Sequence, residues 1–141
     1  MLLVLDTNEF IFTFGREKYI PAVELLTLLE NTARNHQIRV CQTIVEEVRR
    51  NVPAELMRPF LVYTQSLTTI DDDYLVPASL FAKYESLGLK PGDAFIAAYT
   101  EFVGAHAIVS ENRRHFHKYR DQFPFAVWDA AACLKELKKP S

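Results

Sequence analysis

Leu2-Leu3-Val4-Leu5-Asp6-Thr7-Asn8 sets the frame for the rest of the chain. Four aliphatic residues that stop at a polar triplet read as a strand buried on both faces and ending at a wet edge. Thr7 or Asn8 is placed to cap the next element. Over 20–34, Val23, Leu26, Leu29 and Ile20 or Thr27 recur at spacings of three and four, an amphipathic helix with Pro21 in its first turn. A second strand over 38–41 and a helix over 43–51, closed by Val52-Pro53, repeat the alternation. The spacing predicts a helix over 54–66, an edge strand over 67–70 and an acidic turn at Asp71-Asp72-Asp73. Another helix over 77–87 is stopped by Gly88. Pro91-Gly92-Asp93 opens a further helix that carries Ala94, Ile96, Ala97, Ala98 and Val103 and ends at Gly104, its small residues suited to close packing on a sheet. Ala107-Ile108-Val109 is a strand ending at Ser110-Glu111-Asn112, and Phe125-Ala126-Val127-Trp128 is another, before a helix over 129–138. Strands alternating with helices imply parallel pairing, hence an α/β protein built as a three-layer α/β/α sandwich around a central parallel sheet.

The 141 residues are 49% hydrophobic and 24% charged, enough for one globular domain over 1–141 with a genuine core. Sixteen Lys and Arg against 18 Asp and Glu give a net charge of −2. That removes the bulk attraction a nucleic-acid coat protein uses, so any polyanion must be held locally. Cys41 and Cys133 read as reduced core residues. No apolar run approaches the roughly 18 residues of a membrane span, and no basic segment precedes the first strand, so the expected location is the cytoplasm, without membrane attachment. Motifs for dinucleotide binding, a P-loop, a serine nucleophile elbow, CxxC and HExxH are absent. His106, His115 and His117 have no Cys partner at zinc-finger spacing. Asn8 stands where a HAD-like phosphatase needs its second Asp.

Ligands of open α/β sheets sit beyond the carboxyl ends of the strands. Asp6 ends the first strand, Ser110-Glu111-Asn112 end a later one, and Asp93 opens the helix leading into it. On the 43–51 helix, at about 100° per residue, Glu47 lies nearer the border of the apolar face than Glu46 does. Each acid alone has an ordinary explanation as a helix cap or solvated charge. Together, Asp6, Glu47 and Asp93 come from elements that this topology brings to one edge, where like charges repel unless a cation joins them. Oxygen ligands without His suit a hard ion such as Mg²⁺ or Mn²⁺.

These motifs, Leu5-Asp6-Thr7-Asn8, Glu47-Val48-Arg49-Arg50, Gly92-Asp93-Ala94-Phe95-Ile96-Ala97-Ala98 and Ile108 to Phe116, occur in an order that resembles a PIN domain from Leu3 to about Leu134. The resemblance implies a Rossmann-like fold and a metal-dependent endoribonuclease, with Asp6, Glu47 and Asp93 as the catalytic acids that bind Mg²⁺ or Mn²⁺. It implies cleavage of single-stranded RNA to 5′-phosphate and 3′-hydroxyl products. It also implies the setting of a toxin with an antitoxin partner, often as a homodimer. Asn112 stands where the family often has a fourth acid, with Ser110 and Glu111 beside it as further metal or water contacts. Three outcomes are open: Asn112 ligates weakly or orients water, Glu111 takes its place, or a second metal is lost. The last favours an alternative, a catalytically weak PIN-like module that binds RNA or protein.

Arg113, Arg114, His115, His117, Lys118 and Arg120 crowd the segment beyond the acidic edge, with Phe116 and Tyr119 interleaved, and Arg49 and Arg50 follow Glu47. Arg49, Arg50, Arg113, Arg114, His115 and Lys118 are the expected RNA contacts, the aromatics offering stacking surfaces.

Overall fold

The computed structural model describes residues 1–140. The aliphatic run forms β1 (Leu2–Leu5), whose Leu3, Val4 and Leu5 are fully buried, as a strand covered on both faces requires. A helix that the sequence pattern does not announce, α1 (Thr7–Phe14), begins at once. Its cap is Asp6 rather than Thr7 or Asn8, because the helix starts directly at the strand end. The Asp6 carboxylate accepts the Thr7 amide at 2.8 Å, and its carbonyl accepts the Glu9 amide at 3.0 Å.

The chain continues through α2 (Ile20–Asn31), β2 (Gln37–Cys41), α3 (Gln42–Asn51), α4 (Met57–Leu67), β3 (Thr68–Asp71), α5 (Ala78–Ser86), α6 (Pro91–Phe102), β4 (Ala107–Val109), β5 (Ala126–Trp128) and α7 (Ala130–Lys138). All strand pairs are parallel, in the order β3-β2-β1-β4-β5, with Leu3 opposite both Ile38 and Ala107. From β1 the chain builds outward to β2 and β3, then returns to β1's other side for β4 and β5. The order therefore reverses between β1 and β4, and the crevice outside their carboxyl ends is the switch point where α/β sheets receive ligands. Asp6 and Ser110 stand there, one residue beyond each strand.

Helix α6 packs closely because its buried face is made of small residues. Ala94, Ala97 and Ala98 have no exposed surface, nor does Ile96. No helix among the described residues is long and apolar enough to cross a membrane.

The triplet expected as an acidic turn separates into three tasks. Asp71 ends β3, almost buried, and takes two hydrogen bonds from Arg39 on β2 at 2.8 and 2.9 Å and one from the Tyr99 hydroxyl of α6. Asp72 accepts the Tyr74 amide, while Asp73 caps α3 through the amide and hydroxyl of Thr43. Three consecutive acids have no periodicity, which is why only their polarity was legible. Burial opposes the charge on Asp71, but the Arg39 and Tyr99 hydrogen bonds outweigh it and hold the carboxyl below its ordinary range. We expect Arg39→Ala to cost about 3 kcal/mol in denaturant unfolding, because it strands a buried carboxylate, and Tyr99→Phe to cost about 1 kcal/mol.

Candidate active site

The switch-point crevice gathers the acids selected from the sequence. Asp6 is 4% exposed, and its side chain accepts the Ser110 hydroxyl at 2.7 Å as well as the Thr7 amide. Burial pushes its pKa up to about 7; the bonds from Ser110 and Thr7 oppose that rise, and the charges of Asp93 and Glu47 add to it. Asp6 thus feels both other acids of the trio.

Glu47, on α3, is held by the Thr7 hydroxyl, which donates to its Oε2 at 2.6 Å. Its Oε1 lies 3.1 Å from the place a Cβ would take at Gly92, so the missing side chain lets the start of α6 approach α3. Asp93 follows in α6's first turn. Its Oδ2 receives His115 Nδ1 at 2.7 Å and the Asn112 amide nitrogen at 3.4 Å. Among the described residues, no three His, Cys, Asp or Glu side chains are already drawn together tightly enough to hold a metal ion.

Ser110, Glu111 and Asn112 diverge. Ser110 is fully buried, bonding Asp6 and accepting the Asn112 amide at 3.0 Å. Asn112 points its amide nitrogen at Asp93, because its oxygen caps the turn over Arg113–His117 by accepting the His115 amide at 3.1 Å. In this arrangement Asn112 shows the crevice a donor, whereas metal ligation needs its oxygen. Glu111 turns away from the trio, and its Oε2 accepts the Ala130 amide at the start of α7.

The basic residues also divide. Arg113, its side chain largely exposed, binds Asp129 at 2.8 Å, itself the cap of α7. His117 donates from Nε2 to the Ser110 carbonyl at 2.7 Å. Arg49 is exposed and 3.7 Å from Glu46. Arg50, Arg114, Lys118 and Arg120 are exposed, with Lys118 over the ring of Tyr119. Phe116 is fully buried, packing near Phe123, and offers no face for a base. Its spacing resembled an exposed stacking position because the turn's irregular winding is invisible in sequence.

Two site features were missed. Thr7 holds Glu47, and its only signal was its place beside Asp6. Glu9 is fully buried, with no hydrogen-bond donor on either oxygen among the described residues. Its carboxyl lies against that of Glu111, and only a proton on one of the two lets them bond. Burial first, then Glu111, Asp6 and Asp129, push the Glu9 pKa up to about 10. An acid between Asn8 and Phe10-Ile11-Phe12 was the available clue.

Neither protein-family models nor curated proteins match this chain. Solved structures do. A chain of VapBC2 from Rickettsia felis, crystallised bound to a DNA fragment from their promoter, superposes with a TM-score of 0.63 at 20% identity, covering 92% of this chain and 98% of that one. A chain of FitAcB from Neisseria gonorrhoeae gives 0.64 at 16% identity with the same coverage. The chain has a PIN-like fold. At such identities the likeness concerns the fold, and the crevice of this PIN-like chain must be argued from its own residues.

Glu9 has a measurable consequence in that fold. Its carboxyl is ionised above about pH 4.5 when unfolded and protonated up to about pH 10 when folded, so folding takes up a proton. The associated stability is complete below the lower value and is lost as pH rises toward the upper one, by at most ~1.4 kcal/mol per unit. Glu9→Gln keeps a neutral side chain that can donate to Glu111. We expect its melting temperature to exceed wild type at pH 8 and the two to converge at pH 5; parallel melting curves across that range would contradict this.

Proposed function

We propose that this PIN-like chain is a metal-dependent endoribonuclease that cleaves single-stranded RNA, working as the toxin of a toxin–antitoxin pair. The observation that carries the reading is the linkage of the acids at one crevice: buried Asp6 takes the Ser110 hydroxyl and the Thr7 amide, the Thr7 hydroxyl holds Glu47, and Asn112, whose backbone amide bonds Ser110, reaches Asp93. Three acids in one crevice, each oriented by a neutral donor or His115, form a donor set suited to a hard divalent cation. Asp6, Glu47 and Asp93 would hold Mg²⁺ or Mn²⁺. A bound ion of this kind supplies charge neutralisation at the phosphate and activation of water.

The chain's own groups supply position. Ser110 and Thr7 fix Asp6, Thr7 also fixes Glu47, and the 112–115 turn fixes Asp93. Arg50, Arg114 and Lys118, exposed and without an ion pair among the described residues, are among the cations free to take RNA phosphates. The likeness to VapBC2 and FitAcB supports the toxin–antitoxin setting and an antitoxin partner. Pairing as a homodimer and a cytoplasmic location belong to the same reading.

One observation favours the second reading, a catalytically weak RNA- or protein-binding module: Asn112 is uncharged and turned to donate toward Asp93. Cleavage of labelled single-stranded RNA separates the two. Wild type should cut with Mg²⁺ or Mn²⁺ and stop with EDTA, and Asp93→Asn should fall to background. A well-folded wild type that binds RNA without cutting under any of these conditions would select the binding module.

The basic residues are tested by salt. We expect Arg114→Gln and Lys118→Gln each to weaken RNA binding and to flatten the dependence of log K on log salt by about 0.7 per lost phosphate contact. Arg113→Gln should instead lower the melting temperature through Asp129 and leave the salt slope unchanged.

A further inference from the structure

The turn Arg113–His117 carries two side chains with unexpected targets. His115 lies in a segment whose charge suits phosphates, yet its Nδ1 is 2.7 Å from Asp93 Oδ2, with the ring 18% and the carboxylate side chain 22% exposed. The Asn112 amide nitrogen reaches the same oxygen at 3.4 Å, its orientation set because its oxygen caps the turn. The irregular winding, in which the His117 amide bonds the Asn112 carbonyl five residues back, brings both donors to one side. The turn is pinned from behind by His117 on the Ser110 carbonyl.

We propose that His115 is a positioning residue of the metal site: with Asn112 it holds Asp93 Oδ2, leaving Oδ1 as the oxygen free to ligate a divalent cation. This rests on the metal-dependent reading above. A carboxylate with one oxygen already committed to N–H donors offers the other as a single directed ligand, and partners of this kind typically contribute 10- to 100-fold to metal affinity. Donation from Nδ1 suffices, so a neutral ring performs the task.

Calorimetric titration of the full chain with Mn²⁺ tests this, alongside anisotropy of a labelled single-stranded RNA in EDTA. The variants are Asp6→Asn, His115→Ala, His115→Asn and His115→Gln, each checked by thermal melting. Asn places a nitrogen donor near the position of Nδ1, and Gln near that of Nε2. We expect His115→Ala to weaken Mn²⁺ binding about tenfold or more with RNA affinity unchanged, and His115→Asn to restore Mn²⁺ binding better than His115→Gln. Unchanged Mn²⁺ affinity in His115→Ala, while Asp6→Asn abolishes binding, overturns the positioning role and leaves the metal site standing. Loss of RNA affinity in His115→Ala, restored by Gln, overturns it in favour of a phosphate contact through Nε2. A folded wild type that binds no Mn²⁺ overturns the metal reading and the positioning role with it.

Discussion

The buried carboxylate of Asp6 is the constraint around which the rest is arranged. It closes β1, caps α1 through the Thr7 amide and takes the Ser110 hydroxyl from the end of β4, joining three elements at one point. Left unpartnered, a carboxylate so deeply placed would cost several kilocalories per mole. Two donors offset part of that cost, and the charges of Glu47 and Asp93 add to it. The fold therefore carries an electrostatic deficit at the point where its topology opens a crevice, the usual arrangement of a working site.

The deficit is local. With a net charge of −2 the chain has little bulk attraction for a polyanion, and several of its basic residues already have partners within the chain. Arg113 holds Asp129, Arg39 holds Asp71, and the rings of His115 and His117 serve Asp93 and the Ser110 carbonyl. Arg50, Arg114 and Lys118 remain exposed and without an ion pair among the described residues.

Much of this was legible in the sequence because it follows from periodicity and from strand ends. The aliphatic run at Leu2–Leu5 and the alanine face of α6 each have a pattern with one dominant solution, whereas the mostly exposed edge strand β3 is only weakly patterned. Asp6 stood out because it ends a strand, Asp93 because it opens a helix leading into one, and Glu47 because it borders the apolar face of α3. What escaped was set by contact across the chain. Helix α1 is short and rich in Phe, with no clear stripe, and forms because Asp6 starts it. Glu111 and Asp93 are 18 positions apart and both acidic, yet one meets the start of α7 and the other meets His115. Nothing in residue type distinguishes those fates, nor does the sequence show that Phe116 points inward while Lys118 points out.

The bonds from the turn after β4 to the start of α7 make the last helix an anchor for the crevice. Glu111 accepts the Ala130 amide and Arg113 grips Asp129, while Asn112 and His115, interleaved with them, reach Asp93. Alternate residues of one short segment therefore look in opposite directions, to the terminal helix and to the acids. The start of α7 and the acids of the crevice thus share one supporting segment.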